Sequence, residues 1–328
     1  MNITQHDIAM KAGVSRSLVS MALNNSGRVD AKTQQHILKT ARKLGYRANL
    51  IGKTMRTGRS MTVGVLIRGN DSYFGKMLTG VQENLQKNGY APITFSLRNE
   101  FNLLDQVHRL LEQRVDGIIL KPESQLYQKS IRNILRFKVP LVTVDNFIPD
   151  GKNIDFAGVN DEQLGSMAAE HLLKLGHKDI AIVAIDNDIH LNKRVEAFQQ
   201  TIIKAGAEVK TINAIDYKDF SWEDAFFVKP SSGIFFMSDV MAAKFMRDAK
   251  IAGYSIPENI SVLSTGNYQL SEYCTPQLTT FEQHSYKIGF NAVKLLLERM
   301  RGEVTFDSNQ RQLLETATLI ERESTSQS

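Results

Sequence analysis

From Met61 onward, short apolar runs rich in β-branched residues alternate with amphipathic helical segments, and this pattern restricts the fold more than any other feature. Strands are predicted at 63–67, 91–95, 117–120, 141–144, 180–184, 233–237 and 260–263. Helices are predicted between them, at 73–89, 103–113 and 161–175, and later ending at Gly206 and Gly253. Such alternation forms right-handed βαβ units, so we predict an α/β body with parallel sheets over 61–328.

The 60 residues before this body are strongly basic. They hold 11 Lys and Arg but only two acids, Asp7 and Asp30, for a net charge of +9. The remainder has 29 basic and 33 acidic side chains, for a net charge of −4. A small basic segment on a mildly acidic body is typical of nucleic-acid contact, because phosphate neutralisation drives affinity. A solubilising arm is the alternative, but the helical patterning of the segment argues against it.

The basic segment has the pattern of three short helices. Thr4 is placed to cap the first helix, with Asp7 in the capping-box position, and Gly13 supplies the left-handed turn after it. Ser15 is placed to cap the second helix, and a third helix is predicted over 31–44. Two short helices joined by a tight glycine turn form a helix-turn-helix unit, whose second helix enters the DNA major groove.

The first residues of the second helix are predicted to meet the edges of the bases: Ser15, Arg16, Ser17, Ser20 and Met21. Arg16 has the geometry for a bidentate pair with guanine, and the serines suit either bases or phosphates. A phosphate contact without base specificity is the alternative for Arg16. Asn24 is expected to end the helix near the DNA backbone.

Composition excludes several other classes of protein. A length of 328 residues with 42% hydrophobic side chains suffices for two or three packed domains. The single cysteine, Cys274, allows no intramolecular disulfide and is expected to be a buried bystander. The sequence has no signal-like start, no run of about 18 apolar residues and no Cys/His metal spacing. We therefore expect a cytoplasmic protein without a membrane span, metal or cofactor.

The basic segment closely resembles the headpiece of LacI/GalR transcription repressors, in three stretches at 4–24, 29–33 and 41–46. The resemblance continues over nearly the whole chain. It implies a headpiece at 1–46 and a repressor that acts as a homodimer on a near-palindromic double-stranded DNA operator under the control of a small-molecule effector. The predicted DNA-binding residues are then Thr4, Ser15, Arg16, Ser17, Ser20, Met21, Asn24, Arg28, Tyr46, Asn49 and Met55.

In this family a hinge helix follows the headpiece and inserts an apolar wedge into the minor groove, and 47–60 is the matching segment. The wedge position falls on Met55. Ala48 replaces the usual proline, and Gly52 replaces a usual alanine. Glycine at such a position weakens a helix by about 1 kcal/mol relative to alanine. The hinge is therefore expected to depend on DNA for its folding, with an unstructured linker as the alternative.

The body resembles periplasmic binding proteins, which implies two doubly wound parallel-sheet subdomains with an effector cleft between them. On this resemblance the chain crosses between subdomains near 146–156, near 264–270 and after Phe281. Apolar helix faces of the body are expected to form the dimer surface. The polar end at 319–328 is too short for the tetramer-forming leucine helix of some relatives.

Ligands of parallel sheets bind beyond the carboxyl ends of the strands, where this sequence places polar side chains. The strand ends supply Arg68, Lys121, Asp145, Ser238, Asp239 and Asn267. The family resemblance adds two residues of an effector-contacting loop, the arginine that anchors effectors and one further lining residue, which are Tyr73, Phe74, Arg194 and Gln283. The alternative for each is a place in a surface loop or in packing.

The charge of the effector is open between two possibilities. Lys121, Arg68 and Arg194 converging on one crevice would repel one another, which favours an effector with a phosphate or carboxylate, such as a sugar phosphate or sugar acid. The alternative is a neutral sugar, with the cations solvated or paired with acids. Three departures from the family pattern put a simple neutral sugar in question: Gly266 for a common effector-binding aspartate, Ser238-Asp239 for Asn-Asp, and a short stretch at 209–232.

Two other classes of function compete with a DNA-binding regulator. An enzyme lacks support, since no Ser-His-Asp context, phosphate loop or strand-linked G-x-G-x-x-G occurs. His171 and His177 flank a helix end, where capping is the simpler part. A small-molecule-binding protein without a DNA role conflicts with the basic helix-turn-helix segment. The operator sequence, the identity of the effector and the direction of its control are not given by the sequence.

Overall fold

The computed structural model describes residues 3–23, 27–46, 58–67, 72–95, 103–122, 131, 134–148, 153–185, 192–214 and 231–328. The chain divides into two units, Met1–Ser60 and Met61–Ser328. Four of the predicted contact residues lie outside the described residues: Asn24, Asn49, Met55 and Arg68.

The first unit contains three helices, α1 (Gln5–Ala12), α2 (Arg16–Leu23) and α3 (Ala31–Lys43). The predicted capping box is present. The Thr4 hydroxyl accepts a hydrogen bond from the Asp7 amide, and the Asp7 carboxylate accepts one from the Thr4 amide. Gly13 has a φ of +67°, which allows the tight turn between α1 and α2. The helices enclose a small core of Ile8, Ala9, Val19, Ala22, Ile37 and Ala41.

The second unit alternates strands and helices, as the sequence predicts. Its strands are β1 (Thr62–Leu66), β2 (Ala91–Thr94), β3 (Gly117–Leu120), β4 (Leu141–Val144), β5 (Ile154–Val159), β6 (Asp179–Ile185), β7 (Glu208–Ala214), β8 (Gly233–Phe236), β9 (Ser261–Thr265), β10 (Thr279–Glu282), β11 (Gln312–Glu315) and β12 (Thr318–Ile320). Its helices are α4 (Ser72–Lys87), α5 (Leu103–Glu112), α6 (Asp161–Lys174), α7 (Asn192–Lys204), α8 (Asp239–Ile251), α9 (Leu270–Tyr273) and α10 (Ser285–Met300).

The strands form two six-stranded sheets, one in each subdomain. The first sheet has the order β2-β1-β3-β4-β5-β11, and all of its strands are parallel. The second has the order β7-β6-β8-β9-β10-β12, in which only β12 is antiparallel among the described strands. In both sheets the order reverses beside the first strand, at β1 in one and β6 in the other. The α/β fold class with two doubly wound subdomains is therefore confirmed.

Two of the predicted crossing points are wrong. The chain leaves the first sheet after Val159 rather than at 146–156, because Ile154–Val159 forms β5, a fully buried strand of that sheet. No crossing occurs at 264–270, where the chain remains with the second sheet through β10. It passes back after Glu282, close to the crossing predicted after Phe281, and forward again between β11 and β12.

Three smaller expectations also need correction. The stretch at 209–232, thought too short for both the usual strand and a full helix, does contain most of the seven-residue strand β7, and its residues 215–230 lie outside the described residues. His171 and His177 do not cap a helix with their side chains but contact Thr325 and the carbonyl of Ser326, and burial lowers the pKa of both histidines. Cys274 is half-buried rather than buried, and partial burial raises the pKa of its thiol.

Alternate residues of the strands pack on opposite faces of each sheet, as the period of two requires. In β1, Val63 and Val65 face a large apolar cluster that also contains residues of the second sheet, whereas Leu66 faces α5. In β6, Ile180 and Ile182 face the large cluster, and the alternate residues face α8. Each sheet is thus covered on both faces, which is typical of parallel sheets.

Helices α4 and α10 cross at very short range, because each contributes a glycine to the crossing. A Cβ atom at Gly80 would lie 2.1 Å from the carbonyl oxygen of Tyr286, and one at Gly289 would lie 2.1 Å from that of Met77. No side chain fits at either position without separating the helices. Gly75, also on α4, has no neighbouring atom within 4 Å of such a Cβ.

This crossing predicts opposite effects for two substitutions on one helix. Gly80→Ala should lower the free energy of unfolding of the second unit by about 1–3 kcal/mol, because the helices must move apart. Gly75→Ala should leave it unchanged or raise it by about 0.5–1 kcal/mol, since alanine favours the helix. Urea unfolding followed by circular dichroism measures both. Equal losses for the two variants would contradict the close crossing.

Candidate functional site

The start of α2 presents the polar side chains that the sequence predicts for DNA contact. Ser15, Arg16 and Ser17 are all exposed. The Ser15 hydroxyl accepts a hydrogen bond from the Leu18 amide at 3.2 Å, so it caps α2 as predicted, and it lies 2.9 Å from the Ser17 hydroxyl. Val19 lies on the opposite, buried face of the helix. The helix is therefore fixed to the unit by one face and displays its polar start to solvent.

The remaining described headpiece residues differ in exposure. Thr4 and Arg28 are exposed, and Ser20 and Met21 are half-buried. Tyr46 is half-buried because it packs against the core of the three helices. Ser15, Arg16 and Ser17 thus form one exposed group at the start of α2. Tyr46 also contributes to the packing of the three helices.

In the first subdomain, four predicted effector residues form one cluster around Asp145. The Tyr73 hydroxyl donates to Asp145 Oδ1 at 2.6 Å, and Lys121 Nζ lies 3.6 Å from Asp145 Oδ2. Lys121 Nζ also lies 4.9 Å from the centre of the Phe74 ring, which meets the Tyr73 ring edge to face. Asp145 follows β4 with a φ of +66°, a left-handed conformation that aspartate adopts more readily than most non-glycine residues.

Tyr73 remains protonated at physiological pH. Burial, the charge of Asp145 and the hydrogen bond to that carboxylate raise the pKa of Tyr73 well above its ordinary value, while Arg194 acts in the opposite direction. The phenol is therefore a permanent donor to Asp145. Arg194 belongs to α7 of the second subdomain, so charged groups from both subdomains act on the pKa of Tyr73.

In the second subdomain, Arg194 lies in a second cluster. Its Nε and Nη2 atoms donate to Asp161 Oδ1 at 2.9 Å and 2.6 Å, and Nη2 lies 3.5 Å from Gln283 Oε1. Gln283 in turn donates to the Thr265 hydroxyl at 2.9 Å. Arg194 and Gln283 are buried, with 4% and 8% of their surface exposed. A buried guanidinium is thus held beside a carboxylate at the crossing between subdomains.

Two further contacts connect the subdomains beside these clusters. Lys76 Nζ of α4 lies 3.4 Å from Glu282 Oε2 at the end of β10. Lys193 Nζ of α7 lies 5.6 Å from the centre of the Phe147 ring, which follows β4. One lysine therefore reaches across the cleft from each side.

The last three predicted effector residues have structural contacts of their own. Asp239 is fully buried, and its carboxylate accepts hydrogen bonds from the hydroxyls of Ser264 and Thr280 and from the Tyr268 amide. Burial raises the pKa of Asp239, and these hydrogen bonds act against it. Ser238 caps α8 through the Val240 amide. Asn267 donates to Glu282 and accepts from Arg322, each at 2.9 Å.

The expected repulsion among cleft cations is absent from the described residues. Lys121 and Arg194 each lie beside a carboxylate, Asp145 and Asp161 respectively, and Arg68 lies outside the described residues. Lys121 and Arg194 therefore do not present unopposed positive charge, and the prediction of an anionic effector on that ground is wrong for these two cations. Gly266 also has a local reason to be glycine, because its φ is +138° and a Cβ would lie 3.0 Å from the Tyr268 ring.

Sequence reasoning missed Asp161, Thr265 and Glu282 as parts of the site. Asp161 reads as an ordinary acidic residue in the first turn of a helix, and its partner Arg194 is 33 residues away in the sequence. The sequence holds one weak indication that Asp161 belongs to the site. Asp161 and Gly165 are four residues apart and so share one face of α6, which a second helix can approach closely at a glycine.

Comparison with known proteins connects both units to one family. The model for bacterial regulatory proteins of the lacI family matches residues 4–49, and the model for a periplasmic binding protein-like domain matches residues 169–325. The HTH-type transcriptional repressor CytR of Escherichia coli strain K12 is 28% identical over 316 residues, with 92% of this chain and 90% of that protein covered. The chain belongs to the LacI family. It is a DNA-binding transcription regulator and not an enzyme.

Solved structures support the same fold for this LacI-family chain. The lac repressor dimer bound to operator and the anti-inducer ONPF matches with a TM-score of 0.80 at 22% identity, covering 99% of this chain and 100% of that one. A LacI family regulator from Enterococcus faecium with bound ribose matches with a TM-score of 0.70 at 25% identity, covering 81% and 99%. Within the described part of the chain, no helix is long and apolar enough to cross a membrane, and no group of His, Cys, Asp and Glu could hold a metal.

Two exposed serines at the start of α2 test whether Ser15 stabilises the first unit as a helix cap. Without DNA, Ser15→Ala should lower the free energy of unfolding of this unit by about 1 kcal/mol, because the Leu18 amide loses its acceptor. Ser17→Ala, at an equally exposed position without a capping bond, should change it by less than about 0.5 kcal/mol. Thermal unfolding followed by circular dichroism tests this. A loss confined to Ser17→Ala would refute the assignment of the cap.

Proposed function

We propose that this LacI-family protein is a repressor that binds a near-palindromic operator as a homodimer and is controlled by an uncharged, hydroxyl-rich effector. The DNA-reading part is the headpiece at 1–46, followed by a hinge at 47–60, and the effector part is 61–328. The protein acts in the cytoplasm, where the bacterial chromosome lies. The observation that carries the effector proposal is that Lys121 and Arg194, the two predicted effector-binding cations that the structure describes, each lie beside a carboxylate.

The DNA-binding proposal is supported by charge and exposure together. The first unit has a net charge of +9 and presents Ser15, Arg16 and Ser17 at the start of its second helix. Such a helix start reads base edges in the major groove, and Arg16 suits guanine. Two molecules on one operator double the length of the sequence that is read. The lac repressor structure, a dimer on operator DNA, offers the matching precedent.

The other headpiece and hinge residues join this proposal on the family resemblance. They are assigned phosphate, base or minor-groove contacts: Thr4, Ser20, Met21, Asn24, Arg28, Tyr46, Asn49 and Met55. Met55 is assigned the apolar wedge at the centre of the operator.

The effector site suits hydroxyl groups because each cluster offers a carboxylate beside a cation. A hydroxyl donates one hydrogen bond and accepts others, so a single hydroxyl, or two adjacent ones, satisfies both members of such a pair. Asp145 with Lys121 and Asp161 with Arg194 provide two such pairs from opposite subdomains. The rings of Tyr73 and Phe74 add an apolar wall. A sugar or nucleoside ring that spans both pairs would favour closure of the cleft.

The proposed set of effector-contacting residues is smaller than the set predicted from the sequence. Tyr73, Phe74, Lys121, Asp145, Arg194 and Gln283 remain, and Asp161 joins them. Ser238, Asp239 and Asn267 are assigned a supporting part, because they position the loops around the cleft. The ribose in the Enterococcus faecium regulator is an uncharged polyol of the proposed kind.

The DNA proposal predicts that Arg16 carries base specificity. An operator is first enriched from random double-stranded DNA with the wild-type protein, which should bind it as two chains per site. Arg16→Ala should then reduce discrimination against one substituted base pair in each half-site by about 1–3 kcal/mol. Arg42→Ala, an exposed control on α3, should weaken all sequences alike. If Arg16→Ala also weakened all sequences alike, Arg16 would be a phosphate contact.

The effector proposal predicts that uncharged compounds stabilise the second unit. Thermal shift with matched pairs, such as ribose with ribose 5-phosphate, glucose with glucose 6-phosphate and adenosine with AMP, should show stabilisation by an uncharged member. Calorimetry should show that Arg194→Gln weakens that binding at least tenfold. Stabilisation by the phosphates alone would contradict the proposal.

A further inference from the structure

Arg194, the residue proposed to hold the effector, already makes two hydrogen bonds to Asp161. Nε and Nη2 of the guanidinium both reach Asp161 Oδ1, and the two side chains are only 4% and 16% exposed. Such a pair is shielded from water, so its electrostatic interactions are much less screened than those of surface pairs. The hydrogen bonds of the guanidinium to described residues are made by Nε and Nη2.

A buried arginine without a carboxylate would form a strong anion site. Its planar guanidinium matches phosphate and carboxylate groups, and burial strengthens the attraction. Asp161 changes this, because an anion that approaches Arg194 is attracted by one charge and repelled by the other at a similar distance. Two other groups that act near this arginine are neutral, the amide of Gln283 and the protonated phenol of Tyr73. Among the described residues, Asp161 is the carboxylate that contacts the guanidinium directly, so it offsets the positive charge of Arg194 at the shortest range.

We propose that Asp161 determines the charge selectivity of the effector site, by excluding phosphate and carboxylate groups from Arg194. This inference rests on the proposed function, because it assigns Arg194 to the effector site. Asp161 acts as an acceptor for ligand hydroxyls and as a barrier to anions. Replacement of this one carboxylate by a neutral side chain converts the Arg194 side of the cleft into an anion site.

Asp145 provides the matched comparison across the cleft. It also lies beside a cation, but Lys121 Nζ is 3.6 Å away, and Asp145 is bound to the Tyr73 hydroxyl as well. Lysine is a compact point charge that lacks the two-pronged geometry of arginine. Neutralisation of Asp145 should therefore create a weaker anion site than neutralisation of Asp161.

The experiment uses inorganic phosphate as the probe and the full-length chain. Thermal shift is recorded in phosphate and in sodium chloride of the same ionic strength, and calorimetry gives the dissociation constant. Wild type should show no phosphate-specific stabilisation of the second unit. Asp161→Asn should gain saturable stabilisation, with phosphate bound at least tenfold more tightly than by wild type. Asp161→Asn/Arg194→Gln should lose the gain, and Asp145→Asn should show a smaller one.

Two results would overturn the inference. The first is phosphate binding by wild type that Arg194→Gln abolishes, since Asp161 would then be no barrier. The second is a folded Asp161→Asn protein, with a wild-type circular dichroism spectrum, that gains no phosphate binding. If Asp161→Asn does not fold, Asp161→Ser takes its place, because serine is also well accepted at the start of a helix that Asn160 caps.

Failure of the inference can be told from failure of the proposed function. If uncharged sugars bind wild type but Asp161→Asn gains no phosphate site, only the role of Asp161 in excluding anions is wrong. If no uncharged compound binds wild type while Asp161→Asn does gain the site, the proposed effector class is wrong and the charge barrier stands.

Discussion

The proposed effector site depends on the close crossing of α6 and α7. A Cβ atom at Gly165 would lie 2.2 Å from the carbonyl oxygen of Arg194, so only glycine allows the two helices to approach this far. Asp161 lies one turn before Gly165 on the same face of α6, and the approach therefore brings the Arg194 guanidinium against its carboxylate. A larger residue at 165 would separate the ion pair on which the charge of the cleft depends.

Glu282 connects several elements where the chain passes between the subdomains. Glu282, the last residue of β10, accepts hydrogen bonds from Asn267 and from the amide of His284, and it pairs with Lys76 of the first subdomain. Glu282 and Gln283 therefore lie where the chain crosses, with Gln283 beside Arg194 and Glu282 beside Lys76 of α4, the helix that also carries Tyr73. A ligand that draws the two clusters together must act on this crossing, which gives effector binding a direct route to the relative position of the subdomains.

Much of the fold could be predicted from the sequence, because local patterns determine it. The bounds of β3 and β4 agree with the apolar runs, and the capping residues of α1 and α2 agree with the side chains that make the bonds. The strand at Ile154–Val159 was missed, since a strand buried on both faces has no alternation to reveal it. Pairing of the cleft cations with acids was one of two alternatives from the sequence, but Asp161 could not be identified as the partner of Arg194, because the two residues meet only through the packing of two helices.

The proposed function requires that a ligand held in the second unit changes DNA binding by the first. Fluorescence anisotropy with the enriched operator measures this coupling, with and without a saturating uncharged ligand that stabilises the wild-type protein. Operator affinity should change by about fivefold to 150-fold for wild type and should not change for Arg194→Gln at the same ligand concentration. An unchanged operator affinity for the ligand-saturated wild-type protein would contradict the proposed function.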